Sequence, residues 1–158
     1  MNLLFIKTPL RHFTFEAPKI RQWVENRCYG NTLNLFAGKI RLNMVKEIRV
    51  DKDPIYEPDV ISDAYDYIKN CKVKFDTIVL DPPYSYRKSM EYYKGHYTSK
   101  FKLIADEIKG LEIKRVISFG YHTTFMGEVR GYKLKEICIF GHSGAQHATL
   151  AIIEETSK

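Results

Sequence analysis

Hydrophobic positions along the chain fall into short buried-type runs separated by helical-period segments. Thr77-Ile78-Val79-Leu80 is an unbroken β-branched and apolar run, the composition of a strand buried on both faces. Residues 33–36 read as an earlier strand and residues 47–50 as the next, ending at Asp51. Residues 115–118, 136–140 and 148–153 supply the remaining strands. Between them lie helical patterns. Residues 19–27 follow Pro18 at a first-turn position and stop before Gly30. Residues 62–71 place Ala64, Tyr65 and Ile68 on one face, with Ser62 as the expected cap. Residues 100–109 place Leu103, Ile104, Glu107 and Ile108 at helical spacing and close at Gly110. Ahead of all these, Phe13 and Phe15 alternate around Thr14 as an extended piece. Strands alternating with helices predict an α/β fold with a mostly parallel sheet, and the two late neighbouring strands predict an antiparallel hairpin at its C-terminal end.

One spacing breaks the alternation. About eight residues separate Gly38 from Glu47, too few for a full crossover helix. Lys39-Ile40-Arg41-Leu42 alternates like a strand instead, so the first crossover is shortened or rebuilt.

The strand at 77–80 runs into Asp81-Pro82-Pro83-Tyr84. Two prolines cannot continue a sheet ladder, so the chain turns out of the strand at Asp81. A carboxylate, rigid carbonyls and an aromatic face are thereby set at the C-terminal edge of a central strand, where open α/β sheets bind ligands. The set suits a planar base bearing an amino group. Asp81 and the Pro82 carbonyl can accept the two amine hydrogens while Tyr84 stacks on the ring. The bland alternative is a Pro-Pro turn with an Asp cap.

With these residues the chain resembles the SAM-dependent amino-methyltransferases, which methylate adenine N6 or cytosine N4 in DNA or RNA. Asp81 to Tyr84 match that family's (Asp/Asn/Ser)-Pro-Pro-(Tyr/Phe/Trp) tetrapeptide at every position, and Phe36-Ala37-Gly38 resembles its glycine-bearing turn after the first strand. The likeness runs over residues 31–154. It implies a Rossmann-like class I methyltransferase fold, S-adenosyl-L-methionine (SAM) as cofactor, and catalytic roles for Asp81, Pro82, Pro83 and Tyr84. It also implies cofactor contacts from Phe36, Ala37 and Gly38, from Asp51 or its near rival Asp53 to a ribose diol, and from Asp63 and Ala64 to adenine. Each acid has a plain alternative: a turn residue before Pro54 for the first two, and a first-turn helix acid for Asp63. The second glycine usual in the family's first loop is missing.

Beyond the tetrapeptide, residues 86–97 interleave tyrosines with cations, the makings of a nucleic-acid contact loop. Tyr86, Arg87, Lys88 and Lys94 are the substrate-binding candidates there, against the alternative of a solvated loop. Phe119, Tyr121 and His122 follow another strand, where the family supplies an aromatic wall for the target base. His142 and His147 flank the last turn, but two histidines on a hairpin do not make a metal site, and no metal is expected.

Composition narrows the field. The 158 residues, 44% hydrophobic, fit one domain, with an N-terminal extension and helix over 1–30, a catalytic core over 31–158 and no separate target-recognition domain. No apolar run approaches a membrane span, and Met1 to Ile6, soon interrupted by Lys7 and Pro9, is too short for a signal peptide. Three scattered cysteines imply neither a disulfide framework nor a zinc knuckle and point to a reducing, cytoplasmic setting. A formal net charge of +6 favours a polyanionic partner. Without a recognition domain, specificity must come from substrate shape, which favours structured RNA such as rRNA over DNA. The rivals are a DNA amino-methyltransferase, a small-molecule or protein methyltransferase, and a non-catalytic nucleic-acid-binding domain on the same scaffold. No Gly-x-Ser-x-Gly or P-loop occurs, so hydrolase and NTPase chemistry has no sequence support.

Overall fold

The computed structural model describes residues 1–43, 45–82, 97–120, 122–144 and 146–157, with side chains from residue 101 onward in the 97–110 helix. Eight strands form one sheet: β1 (Asn2–Lys7), β2 (Asn31–Leu35), β3 (Lys46–Asp51), β4 (Val60–Ile61), β5 (Thr77–Leu80), β6 (Arg115–Gly120), β7 (Tyr132–Gly141) and β8 (Thr149–Thr156). Their order is β1-β7-β8-β6-β5-β2-β3-β4. β8 lies antiparallel between β6 and β7, and the other pairings are parallel. This is the mostly parallel sheet with an antiparallel C-terminal hairpin that the pattern predicts, in the Rossmann-like form that the resemblance implies.

β5 sits where expected. All four of its residues are buried, and alternation sends Ile78 and Leu80 to one face and Val79 to the other. On the first face α2 (Ala64–Lys69) and α3 (Tyr97–Gly110) cover Leu33, Leu35, Val50, Ile78 and Leu80 through Ala64, Ile68, Ile104 and Ile108. On the second, α1 (Pro18–Glu25) packs Ile20, Trp23 and Val24 against Val79, Ile117, Phe119 and Phe140. Burying a side chain of this size stabilises by roughly 1.5–3 kcal/mol, so the two clusters hold the sheet from both sides. No helix among the described residues is long and apolar enough to cross a membrane.

Several local expectations change. Residues 39–42 are turn and coil, not a strand; Leu42 is 3 % exposed and joins the α1-side cluster, so its burial follows loop packing. Phe13 and Phe15 do not lie on an extended piece, because Thr14–Glu16 forms a short 3-10 turn. The N-cap of α2 is Asp63, whose side chain accepts from the Asp66 amide at 3.1 Å, while Ser62 donates to the Asp63 carbonyl. In α3 the buried stripe is Ile104, Ala105 and Ile108, and Leu103 is exposed. Two strands had no sequence signal. β1 adds to the open edge of β7 in parallel, and the two-residue β4 pairs with the end of β3.

Candidate active site

The chain reverses its direction of travel across the sheet between β2 and β5, which are neighbours though separated in sequence by β3 and β4. At such a switch point the loops leaving the two strands part and open a crevice at the carboxyl edge. A cavity of about 420 Å³ lies there, within the range for small-molecule sites.

Each wall comes from a strand end. After β2, Phe36 takes a left-handed backbone (φ 57°), unusual for a bulky residue, and its ring packs edge-on to Phe101 at 6.3 Å. Gly38 follows with φ 60°, and a Cβ there would meet the Phe13 ring at 3.4 Å; glycine keeps the backbone open to a ligand at this turn. After β3, the carboxylate of Asp51 accepts from the Gly38 amide at 2.9 Å and from the Asp53 amide at 3.0 Å. Asp53 caps the Pro54–Tyr56 turn by accepting from the Ile55 amide at 3.0 Å. After β4, Asp63 and Ala64 bring the first turn of α2 to the cavity, and after β5 so do Asp81 and Pro82. The structure thus gathers Phe36, Ala37, Gly38, Asp51, Asp63, Ala64, Asp81 and Pro82 around one cavity.

Other site predictions fare differently. Phe119 is 4 % exposed and packs against Phe15 at 5.5 Å and Trp23 at 6.3 Å, so it belongs to the core and not to the cavity wall. His122 is exposed beyond the end of β6. Pro83, Tyr84, Tyr86, Arg87, Lys88, Lys94 and Tyr121 lie outside the described residues. His142 has both ring nitrogens engaged, Nδ1 with the Thr8 carbonyl at 2.7 Å and Nε2 with Thr149 Oγ1 at 2.8 Å. The carbonyl can only accept, which fixes the proton on Nδ1 in the neutral ring.

One wall was missed from the sequence. His12, Phe13, Thr14 and Phe15 line the cavity, together with Tyr56. Phe13 packs edge-on to Tyr56 at 5.5 Å and to His12 at 4.8 Å. Lys39 Nζ lies 4.8 Å from the Phe13 ring and pairs with Glu16 at 2.7 Å, and that contact holds the Glu16 carboxyl below its usual range. The alternating phenylalanines were the available signal, though nothing local said what they face.

The crossover between β2 and β3 is fixed by side chains in place of a helix. Glu47, Arg49 and Asp51 alternate along one face of β3. Glu47 accepts from the Leu42 amide at 2.7 Å and from Asn34 at 3.2 Å, and burial raises its carboxyl above the usual range. Glu25 of α1 accepts from the Asn43 amide. Chemically, the cavity offers carboxylates, Asp81 among them, and glycine-opened backbone to a polar, hydroxyl- and amine-bearing ligand.

No protein-family model and no curated protein sequence matches the chain. Solved structures do. TrmN from Thermus thermophilus aligns at a TM-score of 0.63 and 12 % identity over 89 % of this chain, which spans 49 % of the TrmN chain. The N-methyltransferase NodS from Bradyrhizobium japonicum WM9, in complex with S-adenosyl-L-homocysteine (SAH), aligns at 0.61 and 12 % identity over 89 % of this chain and 87 % of its own. An rRNA methylase from Streptococcus thermophilus aligns at 0.52 and 10 % identity over 94 % and 99 %. At these identities the likeness is one of architecture: the chain has the Rossmann-like fold of these methyltransferase structures.

Proposed function

We propose that this protein is a SAM-dependent methyltransferase acting on the exocyclic amine of a nucleic-acid base, adenine N6 or cytosine N4, with structured RNA favoured over DNA. The carrying observation is that Asp81 and Pro82, leaving the buried β5, line the same cavity as Gly38, Asp51 and Asp63. The residues present suit the cofactor. The volume fits a nucleoside-sized ligand, Gly38 leaves the cradle that a side chain would narrow, and four carboxylates, Asp51, Asp53, Asp63 and Asp81, line it. The SAH-bound NodS structure shares the fold. RNA is favoured by the net charge of +6 and by the rRNA methylase among the matched structures.

In this scheme Asp51 or Asp53 takes the ribose hydroxyls and the Asp63–Ala64 turn takes the adenine edge. S-adenosyl-L-methionine, when bound, supplies an electrophilic methyl group and leaves as SAH. The work of the chain is on the acceptor. An amine conjugated to a ring has its lone pair drawn into the ring. Asp81 and the Pro82 carbonyl accept hydrogen bonds from its two N–H groups, which favours a tetrahedral nitrogen and stabilises the positive charge developing there, and one proton then leaves the methylated nitrogen for solvent. Orientation of the two reactants by the fixed loops supplies much of the remaining acceleration. Tyr84, following Pro83, is assigned to stacking on the target base, Tyr121 and His122 to the wall beside that base, and Tyr86, Arg87, Lys88 and Lys94 to holding the strand that carries it.

The test is twofold. Calorimetry with SAH should show one site. Incubation with methyl-labelled SAM and total RNA or DNA, followed by nucleoside digestion and mass spectrometry, should yield N6-methyladenosine or N4-methylcytidine. Label in DNA alone would move the substrate, and absence of both SAH binding and label would overturn the proposal.

A further inference from the structure

A cation is buried beside the cavity without an ion pair among the described residues. Arg49 is 4 % exposed, in the middle of a strand whose neighbours Ile48 and Val50 pack into the core. Burying a guanidinium is costly unless its donors are met. Here three of the five are met, all by backbone. Nη1 donates to the Glu57 carbonyl at 3.1 Å, and Nη2 donates to the Tyr56 carbonyl at 3.0 Å and to the Gly38 carbonyl. Nε has no partner among the described residues. These carbonyls belong to two loops that both reach the cavity lining: Gly38 follows β2, and Tyr56 and Glu57 follow β3. Asp51, two residues on along the same face of β3, accepts the Gly38 amide. The Gly38 residue is therefore gripped at both its N–H and its C=O by alternate residues of one strand.

We propose that Arg49 is a positioning residue of the cofactor site, doing the work of a crossover helix by clamping the Gly38 loop to the Tyr56–Glu57 loop and so fixing how these two loops present their residues to the cavity. The proposal rests on the cofactor site argued above. A planar guanidinium suits the task because Nη2 donates to both loops while Nη1, held in the same plane, adds the Glu57 carbonyl, a fixed fork that an ammonium on a flexible stem does not supply. Without the clamp, the Gly38 carbonyl is free to turn away, and the part of the cavity nearest Phe36 to Gly38 loses its shape. With the ribose proposed at Asp51 or Asp53 and the adenine at Asp63–Ala64, that part is left to the amino-acid half of the cofactor, so the loss should depend on which ligand is bound. SAH, which carries that half, should suffer more than adenosine, which lacks it.

The experiment compares SAH and adenosine binding by calorimetry in wild type, Arg49→Met and Arg49→Lys, with amide hydrogen exchange on the ligand-free proteins. Arg49→Met removes the donors while keeping length and should weaken SAH binding by about tenfold or more, with adenosine changed by about threefold at most. In the ligand-free variant, amide exchange around residues 37–39 and 55–57 should rise together. Arg49→Lys keeps the buried charge and stands in if the methionine variant does not fold. It should show the same asymmetry at smaller size. An unchanged ratio of SAH to adenosine affinity in the folded variant, or faster exchange in neither loop, overturns the clamp. Equal weakening of both ligands also overturns it, since a merely structural role predicts that. If wild type binds neither ligand, the cofactor site itself is wrong, a result distinct from a failed clamp.

Discussion

Asp51→Asn is a nearly isosteric change with a calculable effect. The carboxylate receives two backbone donors, the Gly38 amide on Oδ2 at 2.9 Å and the Asp53 amide on Oδ1 at 3.0 Å. An asparagine offers one oxygen. Whichever way it turns, its NH2 group meets an N–H, and one loop must move. A hydrogen bond to a charged group is worth about 1.5–3 kcal/mol, and both loops are solvated enough to recover part of this from water. A net loss of about 2 kcal/mol in the arrangement that binds cofactor follows, which is roughly thirtyfold in affinity at 1.36 kcal/mol per tenfold. Calorimetric titration with SAH reads this directly. The change in unfolding midpoint should stay within several degrees, since about 1 kcal/mol shifts a domain of this size by roughly 2–4 °C. Asp53→Asn is the control. Asp53 uses Oδ1 to accept the Ile55 amide, a bond that an amide oxygen can keep, so SAH affinity should change little if Asp51 is the dominant acid. Binding by Asp51→Asn within about threefold of wild type would refute the argument that two donors need two acceptors here. A large loss in Asp53→Asn alone would shift the ribose contact two residues along.

Asp81→Ala should lower methyl transfer by about 10²–10³ while leaving SAH affinity within a few-fold, because the lost group acts on the target amine; turnover near wild type would sink that role. Gly30→Ala should destabilise the fold by about 1–3 kcal/mol, since Gly30 has φ 61° and an added Cβ would lie 2.0 Å from the Asp76 carboxylate; an unchanged melting curve would count against the turn geometry. Among the thiols, burial pushes Cys28 up to about 12 and Cys138 up to about 11. Both stay protonated near pH 8 and should resist a disulfide reagent until the protein unfolds, with Cys71 labelled first. Early labelling of Cys138 would show that the α1-side core opens readily.

Local chemistry along the chain determined the central strand and its stop. Thr77 to Leu80 have side chains that want burial on both faces, and Pro82-Pro83 ends any ladder, so neither property needed a distant partner. Counting residues between Gly38 and Glu47 was likewise enough to deny the first crossover a helix, because helix length is fixed by rise per residue. The cap of α2 lay within one residue of expectation: Ser62 and Asp63 both have capping side chains, and the choice fell to Asp63 while the Ser62 amide bonds to the Asp51 carbonyl at 3.0 Å. What the tertiary structure alone decided is what depends on contacts far apart in sequence. β1 exists because β7, more than a hundred residues away, offers an open edge. Phe119 is buried because Phe15 and Trp23 arrive against it from the N-terminal segment. The cavity wall from His12 to Phe15, and the purpose of an arginine between Ile48 and Val50, became visible only when separate loops met. A charged residue inside a buried strand signals that a partner exists, but backbone carbonyls carry no sequence code, so only the folded chain could name Gly38, Tyr56 and Glu57 as that partner.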